Sequence, residues 1–465
     1  MYLQKYFIMR TYPALIVMSF VAPLFSQAGH AEGSYAGILP ETVSNIGKNL
    51  IKSGIYPKAF FDDTLYGNAA GGMKKETIVF HEAYFGADLD MDRIAGLSGT
   101  VIRFALDSRF GGNPQGVNDM AGSGASYFHG SGPDNQTRLT QLEIEQHLFH
   151  DRLRFSAGRM QLASFFATSR LYCLFQLGMC ANLDPVTWSS NSEAPFWPVS
   201  VWAGEVTAIP SRHSYFRLGA EESNPEQYYS GGFPWGSGWS LNTASGAHIM
   251  VEAGYETGHK TRLPGRYDIG AYEDTSPVAD YRYDVHGGRI AFTHAPARMH
   301  SGQSGIYAQF EQTVWQRGGP RRVTVFGGLV VDTSGHSLQK DYFLLGFVCN
   351  GPFSGRPYDF LAFKATGHRL NRNATGYLND EIMASGRTGH MVPHEETLEL
   401  DYSAHLFAGV RLAPFAAFIF HPDQQVYTIT QPDPRVAYSL SGGVELSFSL
   451  GEAAALTPFG LARSY

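Results

Sequence analysis

The sequence predicts an all-β fold: a closed antiparallel transmembrane β-barrel of 16 strands, preceded by a short N-terminal helix. Three observations carry that prediction: long segments with an apolar residue at every second position, about sixteen of them in succession, and connections that alternate between short and long. The plainest segment is Tyr438–Leu450, where Tyr438, Leu440, Gly442, Val444, Leu446, Phe448 and Leu450 share one parity and polar residues or glycine fill the other. That pattern is a strand with one oily and one wet face. Its 13 residues exceed the roughly 9–11 that a tilted strand needs to cross a bilayer.

Before the strands, Lys5 and Arg10 precede the apolar run Ala14–Phe25, and small residues at Gly29–Ala31 offer a cleavage site, so residues 1–31 are expected to be an export signal. Cleavage there would take the formal charge from −7 to −9. Residues 32–54 are expected to form a periplasmic or plug segment, with Val43, Ile46, Leu50 and Ile51 at helical spacing. Period two then takes over: strands are expected over about 55–66, 76–90, 99–110, 138–149, 152–161, 198–208, 214–223, 245–256, 264–274, 304–316, 322–333, 341–350, 357–368, 395–406, 411–421 and 437–450. The barrel is thus expected over 55–450, with a tail at 451–465. Tyr342–Phe347 and Pro198–Val206 are apolar on both parities, and Arg159 shares the parity of Leu153, Phe155 and Ala157, which calls for a bulge or a strand end near Gly158.

His150-Asp151, Ile209–His213, Gly351–Arg356 and Phe407–Val410 are short connections, whereas Gly111–Thr137, Leu162–Trp197, Asn224–Ala244, Thr275–Gln303 and Arg369–His394 are long and rich in turn residues. In a meander, alternate connections emerge at opposite ends, so one rim carries tight turns and the other loops, as in outer-membrane barrels. Glycine at 52 residues, aromatics at 14% and only 17% charged residues suit strands and turns. A soluble sandwich would alternate as well, so number and length decide: sixteen strands strain an open sheet, and closure removes its edges.

Several stretches together resemble the carbohydrate-selective porins of Gram-negative bacteria, the OprB family: GNAAGGMKK (67–75), LDMDRIAGLSGTVIRF (89–104), LEIEQHLFHDRLRFSAGRM (142–160), PVSVWAG (198–204), LPGRYDIGAY (263–272), GIYAQFEQTVW (305–315), GFVCNGPFSGRPYDF (346–360), ETLELDYSAHL (396–406) and FIFHPDQQVY (418–427). The resemblance implies an outer-membrane barrel through which monosaccharides such as glucose diffuse passively into the periplasm. It departs from the family at Cys349-Asn350 and in continuing past the last strand.

A sugar is a ring of hydroxyls with two apolar faces, so a selective channel needs donors, acceptors and aromatic surface. Alternation puts Arg103, Asp107, Glu143, Glu145, Glu311 and Glu399 on wet faces, and these, with Arg159, are the candidate pore-lining, substrate-binding residues. Each could equally be a solvated charge or a cross-strand ion pair. The longest connection carries Phe165, Phe166, Tyr172 and Trp188, aromatics costly to leave in water, so it is expected to fold into the lumen as a constriction. Cys173 and Cys180 are close enough in sequence to bridge within it, and Cys349 is expected to be a small buried residue.

Other classes are thin. Glu143 and Glu145 could pair in a glycosidase, but neighbouring acids are common on any wet face, so no enzyme is expected. No metal-ligand motif, cofactor-binding loop or basic nucleic-acid face is evident, and no cofactor or nucleic acid is expected. The expected partners are monosaccharides, outer-membrane lipid and lipopolysaccharide, the barrel-assembly machinery and two further copies in a homotrimer. The rival readings are a general or organic-acid porin and, from another class, a secreted glycan-binding protein.

Overall fold

Period-two alternation is satisfied when one face of an extended chain meets oil and the other water, and a closed wall supplies both. In the computed structural model, residues 39–112, 119–126, 136–178, 182–186, 191–195, 197–229, 239–257, 261–317, 320–425 and 431–456 are described. The export signal expected at 1–31, Cys180 and Trp188 lie outside the described residues.

The strands are β1 (Ile55–Gly71), β2 (Thr77–Asp90), β3 (Thr100–Gly111), β4 (Gln136–Leu148), β5 (Leu153–Met160), β6 (Val201–Ser211), β7 (Ser214–Ser223), β8 (Gly246–Glu256), β9 (Gly265–Asp284), β10 (Ala297–Gln316), β11 (Arg322–Asp332), β12 (Gln339–Asn350), β13 (Phe360–Leu370), β14 (His394–Phe407), β15 (Val410–Phe420) and β16 (Tyr438–Ser449). Each pairs antiparallel with its sequence neighbours, and β16 closes on β1 from Phe60↔Ser449 to Gly71↔Ser439. Closure leaves the sheet without a free edge.

The two faces decide between barrel and sandwich. Ile144, Phe216, Ile269, Ile306 and Leu345 are more than half exposed on the outside, while Asp107, Glu399 and Asp401 are buried within. A sandwich would invert this; only lipid makes the outward set favourable. On β16 the apolar parity of Tyr438, Leu440 and Leu446 faces outward and Ser439 and Ser441 face inward.

Several expectations require correction. The expected loop Thr275–Gln303 is mostly strand, because β9 and β10 each run 20 residues into a long hairpin. Against it docks α2 (Arg372–Ala384), within the expected loop Arg369–His394, started by Asn371, whose side chain accepts from Asn373 N. Arg282 donates to Asp380 at 2.7 and 3.0 Å, fixing helix to hairpin. Helix α1 (Glu41–Lys52) forms as expected but buries Ser44 and Gly47, leaving Val43 and Ile46 exposed. Leu450 leaves β16 to start a helical turn, Leu450–Ala453, and Leu39 N donates to Ala453 O at 3.2 Å. Cys349 is a free thiol, half-buried and on the outward parity of β12.

Of the bulge or strand end expected near Gly158, the bulge is absent and β5 ends at Met160, past Arg159: pairing runs unbroken from Leu142↔Arg159 to Leu148↔Leu153. Gly158 keeps the register because its φ of 146° suits glycine and a Cβ there would lie 2.3 Å from Leu142 O. Arg159 therefore stays on the outward parity, and it is not a lumen residue. Its guanidinium lies 5.8 Å from the Trp202 ring and 5.6 Å from Trp239, 3.5 Å from Glu222, and donates to Ser200 O. Trp rings and a carboxylate together make a cation tolerable on a lipid-facing wall.

Candidate functional site

Chain alternation first determines which charges meet inside. On β2, Glu82, Tyr84 and Asp88 share the inward parity; on β3, Arg103, Asp107 and Arg109 do; on β4, Glu143 and Glu145 do. Cross-strand register sets Asp88 beside Arg103 and Arg103 beside Glu143, and sets Glu82 beside Arg109. Arg103 lies 3.2 Å from Asp88, 3.3 Å from Glu143 and 3.0 Å from Glu145. Lys58 on β1 extends this row, 2.7 Å from Asp88. Arg109 lies 3.0 Å from Glu82 and 3.1 Å from Asp107, forming the second row. Six residues separate Asp88 from Glu82, so the rows stand about 20 Å apart along the strand.

Between them is aromatic surface. Phe60 pairs with Tyr84 in register, and their rings stack at 4.9 Å and 17°. Trp197, where the longest loop returns to the wall, lies 5.2 Å from Tyr84, and its Nε1 donates to Glu82 at 3.0 Å.

The described residues of the loop, 162–178, 182–186 and 191–195, pack inside the barrel. Phe166, Tyr172 and Phe175 are buried with Met250, Tyr272, Tyr307, Phe326, Tyr342 and Leu344 from β8 to β12, and Phe165 packs at the edge. That explains why Tyr342–Phe347 is apolar on both parities: its inner face meets the loop rather than water. Leu177 crosses to a second cluster with Tyr66, Phe80 and Phe415 on β1, β2 and β15. Polar groups anchor the same path. Leu162 N and Ala167 N donate to Glu221 and Glu252 at 2.8 and 2.7 Å; Arg266 donates to Thr168 O at 2.9 Å and Arg217 to Phe165 O. Gln176 N and Leu177 N both donate to Glu399 Oε1, at 2.6 and 3.0 Å, and Lys364 lies 3.1 Å from the same carboxylate. A buried, unpaired carboxylate would cost several kcal/mol; the loop backbone removes that cost.

The candidate residues thus divide. Arg103, Asp107, Glu143 and Glu145 come together on β3 and β4. Glu399 and Glu311 hold the loop, Glu311 through the Ser169 hydroxyl, and Arg159 lies outside the lumen. Cys173 is disulfide-bonded. Sequence reasoning missed Lys58, Phe60, Glu82, Tyr84, Asp88 and Lys364; Trp197 is legible as one of the aromatics of the longest loop. The parity of Lys58, Phe60 and Asp62 on β1, and of Glu82, Tyr84 and Asp88 on β2, was the available signal.

Accessibility varies around the lumen. Side chains of Lys58 and Arg103 keep 28% and 19% of their surface, as Arg217 and Arg266 keep 19% and 21% across the lumen, whereas the rings of Tyr307 and Phe326 are buried under the loop. The described part of the loop packs against β8–β13, and on the β1–β4 arc Lys58 and Arg103 stay accessible while Glu82, Asp107 and Arg109 are buried.

The description "Carbohydrate-selective porin, OprB family" belongs to a family model that matches residues 74–445. Porin B of Pseudomonas aeruginosa is 27% identical over 335 residues, which span 70% of this chain and 72% of that protein. Among solved structures, the high-pH structure of Pseudomonas putida OprB superposes with a TM-score of 0.78 at 24% identity, covering 90% of this chain and 100% of that one. The low-pH structure of that protein gives 0.54 at 18% identity over the same shares. With the family match covering nearly the whole barrel, the chain belongs to the carbohydrate-selective porins of the OprB family, sugar channels of the Gram-negative outer membrane.

Proposed function

We propose that glucose-like monosaccharides diffuse passively to the periplasm along the β1–β4 arc, sliding over Phe60, Tyr84 and Trp197 between the two rows of charge. The observation that carries this reading is the stacked Phe60–Tyr84 pair with Trp197 beside it, set between the Lys58–Asp88–Arg103–Glu143–Glu145 and Glu82–Arg109–Asp107 groups. A sugar face packs on the rings while its hydroxyls exchange hydrogen bonds with the accessible Lys58 and Arg103. The loop Leu162–Trp197 sets the width of the path, and the Cys173 disulfide stiffens it.

Along this arc Asp62, Glu82, Asp88, Asp107, Glu143 and Glu145 outnumber Lys58, Arg103, Arg109 and Arg138, which disfavours an organic-acid channel. Glu143 and Glu145 are both engaged with Arg103 rather than poised across a substrate, and no hydrolysis is expected. Lipopolysaccharide, the barrel-assembly machinery and two further copies of the chain are the partners proposed, and the turn Leu450–Ala453 with α1 is proposed to close the periplasmic end. Purified protein in planar bilayers tests the reading: current should fall progressively as glucose is added, and indifference to sugar would favour a general-solute pore.

A further inference from the structure

The geometry points to a divalent transition-metal site of the zinc class, formed by His394, Glu396 and His421 on the outer face of the barrel at its extracellular rim. His394 and Glu396 are two residues apart at the start of β14, on the parity of the outward Leu398 and Leu400, whereas Glu395 and Thr397 between and beyond them are buried inside. Glu396 pairs in register with Phe420, the last residue of β15, so the next residue, His421, arrives beside it. His421 has a φ of 49° and donates its N–H to Ala437 O at 2.9 Å, a local fold that turns its ring toward β14.

The two imidazole rings stand 5.3 Å apart at 80°, and one ligand atom from each of the three residues lies within 4.8 Å of the others. His394 Nε2 is 3.8 Å from Glu396 Oε1, and His421 Nδ1 is 3.8 Å from Glu396 Oε2. Those separations are too long for hydrogen bonds. They are close to the roughly 3.4 Å between ligand atoms that each bind a tetrahedral ion at about 2.0–2.1 Å. A second observation points the same way: His421 Nδ1 is shut off from solvent and makes no hydrogen bond among the described residues. An imidazole nitrogen left so is costly, and metal ligation would supply its partner.

Two imidazoles and one carboxylate, with a fourth position open to water, suit zinc-class ions and not calcium or magnesium, which take oxygen ligands. The site would clip the loop after β15 from outside. On the inner side that loop is already held, since Asp423 N donates to Glu395 Oε2 at 2.7 Å. The three residues form no contiguous sequence motif, because His421 follows the neighbouring strand β15.

Equilibrium dialysis of untagged, chelator-stripped protein in detergent against Zn²⁺ tests this. Wild type should bind one ion per chain that excess Mg²⁺ does not displace. H394A, H421A and the volume-conserving E396Q should each weaken that binding at least tenfold, with heat-modifiable gel mobility reporting that the barrel is intact. The chain has 17 histidines, so binding unchanged in all three variants would assign the ion elsewhere and overturn the proposal. So would wild-type protein that takes up no Zn²⁺ above a detergent blank.

Discussion

Replacing Glu399 with alanine tests how the loop is held. Glu399 is fully buried, accepts Gln176 N and Leu177 N at 2.6 and 3.0 Å, and lies 3.1 Å from Lys364. Hydrogen bonds to a charged group contribute about 1.5–3 kcal/mol each, and breaking a buried pair costs about 3–5 kcal/mol. These terms overlap, because the same carboxylate supplies both, so the loop should lose about 3–5 kcal/mol of anchorage rather than their sum. At about 1.4 kcal/mol per tenfold, loop-open states should become roughly 10²–10⁴-fold more populated. Single-channel recording should show transitions to a larger conductance in E399A that are rare in wild type. Lys364 itself donates to Leu177 O and lies 4.8 Å from the Phe175 ring, so adding Lys364→Met should free the loop further. If E399A conducts and fluctuates like wild type while remaining a folded barrel, the loop is not held in this way.

Reversal potentials in a salt gradient should show preference for cations over anions, because acids exceed bases along the β1–β4 arc; anion preference would refute the assigned path. R159A should leave sugar block unchanged, because Arg159 faces outward, yet lower thermal stability, because among the described residues Glu222 then keeps only its bonds from Trp202 N and Asn224 Nδ2; altered sugar block would return Arg159 to the lumen. In the turn between β12 and β13, burial acts to raise the Asp359 carboxyl, but donation from Arg356, Tyr402 and His405 N outweighs it and holds the pKa below its usual value. The stability this adds is present above the ordinary aspartate pKa of about 3.9 and is lost as pH falls through the depressed value. D359N should therefore lose less of its unfolding temperature than wild type on acidification below about pH 4; equal losses would refute the role.

The sixteen strands were legible because each records locally whether lipid or water lies on either side, and β16 reads that way from Tyr438 to Ser449. Legibility failed where that contrast is absent. In Thr275–Gln303 the chain has left the membrane, so turn-rich composition concealed the extended hairpin. At Arg159 the assumption that a charge must point inward overrode a parity that was correct, because Trp202 and Trp239 come from elsewhere in the chain. Candidate charges on β3 and β4 were readable from alternation. Their division into path and anchor was not, since Gln176 and Glu399 meet across 223 residues of sequence. The aromatic floor at Phe60 and Tyr84 lay in plain alternation on β1 and β2, whereas its third ring, Trp197, arrives only when the loop returns to the wall.

Glucose block of single-channel current, compared between wild type and the Y84A/W197A double variant, tests the central claim most directly. Two aromatic contacts at about 0.5–1.5 kcal/mol each amount to roughly 1–3 kcal/mol, or about tenfold in apparent affinity. The double variant should need about ten times more glucose for the same block while still conducting salt. Equal block in both proteins would contradict a path over Phe60, Tyr84 and Trp197.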